Sequence, residues 1–277
     1  MGIECSVGLI GAGNMGEALL RGLIGSGALP SARCVVTNRS NDARLAGVAD
    51  RWGVRTTRNK ALLMAAGDVI VLAVKPQDVP DVLRDIAPHA AARHLVISVA
   101  AGIPLETIER YVEGVPTARA MPNTSSAVGA SATAVCLGRW ANEAHLATVR
   151  DIFEAVGSVV AVPEALFDVV TGLSGSGPAY VYLLAEALLE AGVRAGLSRN
   201  VALALVSQTV LGAGKMLAET GADPAALRER VTSPGGTTMA GIRALEDGGF
   251  QAVVAEAVER AARRAGELRA PASRQPL

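Results

Sequence analysis

The chain has 277 residues, half of them hydrophobic, enough for two modest domains that hold together without disulfides. Lysine plus arginine balances aspartate plus glutamate at 26 each and aromatics make up only 3%, which excludes the basic field and the stacking platforms that nucleic-acid binding needs. Three scattered cysteines, Cys5, Cys34 and Cys136, form no CxxC pair or Cys/His cluster, so no metal is expected and a reducing cytoplasmic setting is.

Ser6-Val7-Gly8-Leu9-Ile10 is a short apolar run ending in Gly11-Ala12-Gly13-Asn14-Met15-Gly16, after which Ala18, Leu19, Leu23 and Ile24 recur at helical spacing. The pattern is strand, glycine turn, helix. No basic segment with an apolar run and cleavage site precedes it, so no signal peptide is expected. A second strand, Cys34-Val35-Val36-Thr37, completes a β-α-β unit. In that setting Gly11 permits the turn, Gly13 lets the backbone approach a pyrophosphate, and Gly16 lets helix and strand pack closely.

The end of the second strand reads Asn38-Arg39-Ser40. An NAD site places a carboxylate there for the ribose 2′-hydroxyl; an arginine and a serine instead suit the 2′-phosphate of NADP. NADPH is therefore the expected cofactor and NADH the secondary one, although a solvated surface position explains Arg39 equally well. Asp42 opens the next helix. Asp68 to Val74 is a continuous apolar run of the kind a doubly covered parallel strand shows. Lys75-Pro76-Gln77 follows at its carboxyl end, where open α/β sheets bind ligands; strand termination with an exposed lysine explains Lys75 equally well. Further strands are expected over Leu95 to Val99, leading to the small residues Ala100-Ala101-Gly102, and Pro116 to Met121, leading to Pro122-Asn123-Thr124.

Beyond Asn142 come a helix, a short strand over Val159 to Val162, and then helices. The expected fold is α/β: an N-terminal Rossmann-type doubly wound sheet over residues 1–163, a C-terminal all-helical dimerisation domain over 164–269, and a tail over 270–277. Asp168 to Tyr180 joins the halves and opens a helix with apolar residues at Val181, Leu184, Leu188 and Ala191 and an expected ion pair between Glu190 and Arg194. The next helix, Val201 to Leu217, is apolar nearly all round; its uncharged stretch, Val201 to Gly214, is short for a membrane span. A helix of that kind calls for a homodimer interface, and no membrane is expected.

Val231-Thr232-Ser233-Pro234-Gly235-Gly236-Thr237-Thr238 reads as an anion cradle at the mouth of a helix. Ser233 would cap, Pro234 would enter the first turn, and the amides of Gly235, Gly236 and Thr237 would face a carboxylate. Taken alone, Ser-Pro-Gly-Gly is also simply a tight turn. The chemistry between cofactor and cradle follows from what is missing. Hydroxyacid dehydrogenases place a lysine or histidine on the hydride path, yet none occurs from Gly157 until Lys215, and His89, His94 and His145 all lie in the first half. An imine, which is readily protonated, needs no such group. A 3-hydroxyacid-type dehydrogenase of the same architecture and a non-catalytic NADP-sensing dimer are the two rival readings.

Across Gly11 to Gly16, Ala73-Val74-Lys75-Pro76-Gln77, Arg119-Ala120-Met121-Pro122-Asn123-Thr124, Asp168 to Tyr180 and Val231 to Thr238 with Gly241, Leu245 and Glu246, nearly the whole chain resembles the pyrroline-5-carboxylate reductases. The resemblance implies reduction of 1-pyrroline-5-carboxylate to L-proline, the last step of proline biosynthesis, with NADP held by Gly11, Gly13, Asn14, Met15, Gly16, Asn38, Arg39, Ser40, Asn59, Ala73, Val74 and Lys75 and with Asn123 near the nicotinamide. It implies the carboxylate of the imino-acid substrate on Ser233, Gly236 and Thr237, and Thr238 as the catalytic residue at the ring nitrogen. It also implies interlocked homodimers, or assemblies of them, in which the cradle of one subunit faces the nicotinamide of the other. Some relatives carry a glutamate before the cradle where this chain has Gly221-Ala222-Asp223, which leaves Glu219 and Asp223 as candidates for an acid role.

Overall fold

In the computed structural model, which describes residues 3–269, the apolar runs of the first half are strands and the segments between them helices. In chain order these are β1 (Val7–Ile10), α1 (Asn14–Gly25), β2 (Cys34–Thr37), α2 (Asp42–Trp52), β3 (Arg55–Thr56), α3 (Lys60–Ala66), β4 (Val69–Leu72), α4 (Val79–Ile86), β5 (Leu95–Ser98), α5 (Leu105–Tyr111), β6 (Thr117–Met121), β7 (Ser131–Leu137), α6 (Glu143–Glu154) and β8 (Gly157–Ala161). They form one sheet in the order β3-β2-β1-β4-β5-β6-β7-β8. β1 to β6 are parallel, whereas β7 runs antiparallel to β6 and parallel to β8.

Every residue of β1, β2, β4 and β5 is buried, because helices cover both faces of the sheet and each strand must be apolar on both sides. Alternation along the strands divides the core in two. Val7, Leu9, Val69 and Val71 pack with Leu19, Leu23 and Phe153 on one face; Ile70 and Leu72 pack with Leu63, Leu83 and Ile86 on the other.

Two strands were not expected from the sequence, and each has a physical reason. β3 is two exposed residues, too short to show a period. β7, Ser131-Ala132-Thr133-Ala134-Val135-Cys136-Leu137, begins with small and hydroxylated side chains and has only a four-residue apolar run at its end. The expected strand over Asp68 to Val74 is shorter at both ends: Ala73 and Val74 leave the ladder and turn into a cleft.

Polar contacts fix the strand register at its ends. Asp68, just before β4, accepts from the backbone N–H of Ser6 at 2.9 Å and from its hydroxyl at 2.6 Å. The two hydrogen bonds hold the Asp68 carboxyl below the usual carboxylate range. Further along the sheet, Arg119 in β6 is buried, pairs with Glu164 at 2.7 Å and lies 4.5 Å from the Phe167 ring centroid. Glu164 also accepts from the Leu105 N–H at 2.7 Å, so one carboxylate ties β6, the start of α5 and the segment after β8.

The remaining helices are α7 (Phe167–Val170), α8 (Gly177–Arg194), α9 (Arg199–Thr220), α10 (Pro224–Arg230), α11 (Thr237–Asp247) and α12 (Phe250–Arg269), with one wide π-type turn over Thr171–Gly175. The described residues divide into two compact units, one of residues 3–176 together with 259–269, the other Gly177–Val258. The expected tail, 270–277, lies outside the described residues.

Within the second unit α8 and α9 pack together, Ala202 being buried beside Gly192 of α8. Glu190 pairs with Arg199 at 2.7 Å, not with the expected Arg194, because the tight connection between the helices brings the start of α9 to the same carboxylate. Val181, Leu184 and Leu188 are exposed within one chain, as are Leu203, Leu205 and Leu211. Helix α9, at 22 residues, is longer than the uncharged stretch within it, and an 18-residue window of it has a mean hydropathy of 1.5, enough to cross a membrane by length and composition alone.

Two outcomes follow from the polar ties. Glu164→Ala leaves the buried Arg119 guanidinium unpaired, which costs about 3–5 kcal/mol; the midpoint of urea denaturation should fall accordingly. The Asp68 pKa is depressed on folding, so its contribution to stability is present above the unfolded-state value and is lost as the pH falls through the folded one. Ser6→Ala should move the carboxyl carbon titration of Asp68, followed by NMR, upward toward the ordinary value.

Candidate functional site

The strand order reverses between β1 and β4, and at that switch point an α/β sheet opens a crevice at its carboxyl edge. Ile10 and Leu72 end the two strands side by side. Gly11 follows with φ +116°, and a Cβ on it would stand 2.3 Å from the Ala73 carbonyl oxygen; only glycine fits. Gly16 is equally constrained, since a Cβ there would lie 2.0 Å from the Gly11 oxygen. Gly13 differs: its φ is an ordinary −76° and nothing stands within 4 Å of its Cβ position. The space in front of Gly13 is open to a ligand, and the fold does not need that glycine.

An open cleft of about 580 Å³ is lined by Gly11, Gly13, Asn38, Arg39, Ser40, Ala73, Val74 and Lys75 among the expected cofactor residues, and also by Ala12, Asn41, Arg44, Gln77 and Asp78. Asn14 and Met15 begin α1, whose first amides, with Gly16, have no acceptor within the helix. They supply donors and the positive helix end at the cleft margin. Asn38 folds the loop after β2, donating to the Asn41 carbonyl at 2.8 Å and accepting its N–H at 3.2 Å. Arg39 reaches Asp78 at 2.9 Å. These glycine geometries, open space and cations fit a dinucleotide phosphate.

Two expected cofactor residues are engaged elsewhere. Asn59 caps α3, accepting the Leu62 N–H at 3.2 Å. Asn123 is buried at the end of β6; its side chain accepts from Ser125 N at 3.1 Å and donates to the Ser174 carbonyl at 3.0 Å. Neither lines the 580 Å³ cleft. Sequence reasoning in turn missed Arg44 and Asp78. Both lie beyond the motif residues, on turns of α2 and after β4 that only folding brings to the crevice.

The second constellation lies in the other unit. Ser233-Pro234-Gly235-Gly236 is a hydrogen-bonded turn: the Gly236 N–H donates to the Ser233 carbonyl at 3.0 Å and Gly235 has φ +71°. Proline and a left-handed glycine at the two central positions define a type II turn. Helix α11 therefore starts at Thr237, with Gly236 as its N-cap and no side-chain cap from Ser233, three residues later than expected. Gly236 is not an available donor. The amides without acceptors in the helix are those of Thr237, Thr238 and Met239, and the Thr237 and Thr238 side chains are exposed. A Cβ on Gly236 would meet Ser233 Oγ at 2.4 Å, so the turn holds that hydroxyl against the start of α11.

The groups that could compete for acid or thiol chemistry have structural roles. Asp223 caps α10, accepting from Ala225 N at 2.8 Å. His94 is buried, accepts the Ala91 N–H on Nδ1 at 2.9 Å and therefore carries its proton on Nε2, toward the Met64 carbonyl at 3.0 Å. His145 completes the capping box of α6. Burial pushes the Cys34 and Cys136 thiols up to about 12, which keeps them protonated and unreactive.

A doubly wound sheet with a glycine cradle at its switch point, arginines beyond β2 and a helical second unit defines a nicotinamide-dinucleotide oxidoreductase of the Rossmann type. Residues 6–102 match the family described as NADP oxidoreductase coenzyme F420-dependent, and residues 164–268 match pyrroline-5-carboxylate reductase dimerisation. The pyrroline-5-carboxylate reductase of Glycine max is 44% identical over 263 residues, 95% of this chain and 96% of that one. The pyrroline-5-carboxylate reductase structure from Coxiella burnetii superposes with a TM-score of 0.91 at 38% identity, covering 95% of this chain and 98% of that one. The Plasmodium falciparum pyrroline carboxylate reductase, solved with NADP bound, gives 0.84 at 30% identity over 98% and 100% of the chains. This chain belongs to the pyrroline-5-carboxylate reductase family.

The glycines separate fold from binding. Gly13→Ala should leave the melting temperature near that of the wild type and weaken NADPH binding by about 1–3 kcal/mol, ten- to a hundredfold, as the new methyl group fills ligand space. Gly11→Ala should lower the melting temperature itself. Calorimetric titration and thermal denaturation of the two variants check both.

Proposed function

We propose that the protein reduces 1-pyrroline-5-carboxylate to L-proline with NADPH, as the closing reaction of proline synthesis, in the cytoplasm and as a homodimer or an assembly of homodimers. The observation that carries the reading is that the family relation spans cleft and cradle together, over 95% of the chain. We take residues 1–163 as the dinucleotide-binding domain and 164–269 as the substrate and dimerisation domain; the helical relation beginning at Glu164 supports that division.

Gly11, Gly13, Asn14, Met15, Gly16, Asn38, Arg39, Ser40, Asn59, Ala73, Val74 and Lys75 hold the cofactor, with Asn123 near the nicotinamide. When bound, NADPH supplies a hydride to the imine carbon. The carboxylate of the substrate rests at the start of α11, on the amides of Thr237 and Thr238 and the hydroxyl of Ser233, with Gly236 shaping the turn. The α11 dipole favours the negative charge there. Anchored so, the ring is presented in one orientation, and orientation of this kind supplies several kcal/mol of rate gain.

Thr238 serves the ring nitrogen. A hydroxyl both donates and accepts, so it accepts from the N–H of the protonated imine or donates to the free one. A protonated imine already carries the nitrogen proton of the product; once carbon gains its hydride, the π pair of the C=N bond becomes the nitrogen lone pair and no further proton is required. This removes the need for the lysine or histidine that a hydroxyacid dehydrogenase uses.

Loss of the hydroxyl should therefore lower turnover more than cofactor affinity. Thr238→Ala and Thr238→Val are expected to reduce kcat about ten- to a hundredfold, the scale of one hydrogen bond to a charged group, with NADPH binding kept. Absorbance loss of NADPH with pyrroline-5-carboxylate measures it; wild-type turnover in both variants would take Thr238 out of the mechanism. The same assay with small 3-hydroxy acids and NADP tests the dehydrogenase rival, and the absence of turnover with every substrate would leave the sensing dimer.

A further inference from the structure

Four arginines surround the loop after β2, and each has a carboxylate partner. Arg44 reaches Glu17 at 3.3 Å and Arg51 pairs with the same carboxylate; Arg58 pairs with Asp42 and donates to the Arg39 carbonyl at 2.6 Å. Neither Glu17 nor Asp42 lines the dinucleotide cleft. Arg39 is the exception: its partner Asp78, at 2.9 Å, is itself a cleft residue.

A second cavity of about 370 Å³ adjoins the cleft. Ile10, Val74 and Val82 form its apolar lining, and it shares Asn38, Arg39, Val74 and Asp78 with the cleft. The Arg39–Asp78 pair therefore stands where the two spaces meet. In the smaller cavity the other cations are already neutralised, Lys60 by Asp85 and Arg58 by Asp42.

We infer that Asp78 is a specificity-determining residue: it occupies the Arg39 guanidinium until a phosphate on the adenosine ribose displaces it, and so sets how strongly the protein prefers NADPH to NADH. The inference rests on the reading of Arg39 as the 2′-phosphate residue. The Asp78 carboxylate competes for the same donors and repels the incoming phosphate. Arg39 is 81% exposed and Asp78 28%, so the competing pair is weak enough to exchange in water. A dinucleotide without the 2′-phosphate gains nothing from breaking it. The backbone of Arg39 stays in place throughout, because Arg58 holds its carbonyl.

The test is calorimetric titration of the full-length protein with NADPH, NADH, adenosine 2′,5′-bisphosphate and AMP. Asp78→Asn keeps the size of the side chain and removes the charge; it should raise the ratio of NADPH to NADH affinity about two- to fivefold, the equivalent of one exposed ion pair. The ratio for the bisphosphate over AMP should rise equally, and both gains should vanish in Asp78→Asn combined with Arg39→Ala. An unchanged or lower ratio in Asp78→Asn, while Arg39→Ala lowers the wild-type ratio, overturns the role of Asp78. If Arg39→Ala leaves the wild-type ratio unchanged, the placement of the phosphate on Arg39 fails instead, and the role of Asp78 with it.

Discussion

The close approach of two backbone turns at the centre of the sheet governs the first unit. Gly11 sits against the Ala73 carbonyl at a distance no side chain would permit, so β1 and β4 end together and the helix start at Asn14 aims its free amides across the gap. The cleft residues on either side take their places beside that contact. The Arg39 loop follows β2, which is in register with β1, and Lys75 follows Ala73 on the other side. Dispersion and burial hold the sheet on both faces, but the crevice exists because strand order reverses where these glycine and alanine turns meet.

The second unit obeys a different constraint. Helices α8 and α9 pack together and bury Leu189 and Ala202 while leaving Leu183 67% and Leu205 56% exposed. Apolar area of that extent on a chain related to a dimerisation family along residues 164–268 is area for a partner subunit, since the hydrophobic effect rewards its removal from water at roughly 25 cal/mol per Å². The membrane-like length of α9 has the same origin: a helix surrounded by protein is as apolar as one surrounded by lipid.

The two constellations differ in how they bind charge. The cleft has two guanidinium groups, Arg39 and Arg44, each already paired with a carboxylate. The start of α11 has amides fixed by a type II turn and no lysine or arginine among Ser233 to Thr238. A fixed dipole cannot be displaced or rotate away, which suits a carboxylate that must be held in one orientation.

Legibility in the sequence followed the range of the interaction. Local patterns gave the parallel strands apart from the two-residue β3, the helix that follows the Gly11 turn and the existence of a turn and helix at Ser233 to Thr238, because apolar period and glycine placement act within a few residues. They also gave too early a start to α11: Pro234 suits both the first turn of a helix and the second position of a type II turn, and the hydrogen bond from Gly236 to Ser233 decides for the turn. β7 escaped notice because its first four residues are only Ser, Ala and Thr, and its pairing with a neighbour on either side, not a long apolar run, makes it a strand. The amino-acid sequence by itself determined which residues can turn tightly, which must be buried and which carry charge. Only the tertiary structure decided that Glu190 meets Arg199, that Asn123 spends its amide on Ser125 and Ser174, and that Asp78 faces Arg39. Such partnerships join segments separated by tens of residues, and their choice is made by packing geometry, which no local pattern encodes.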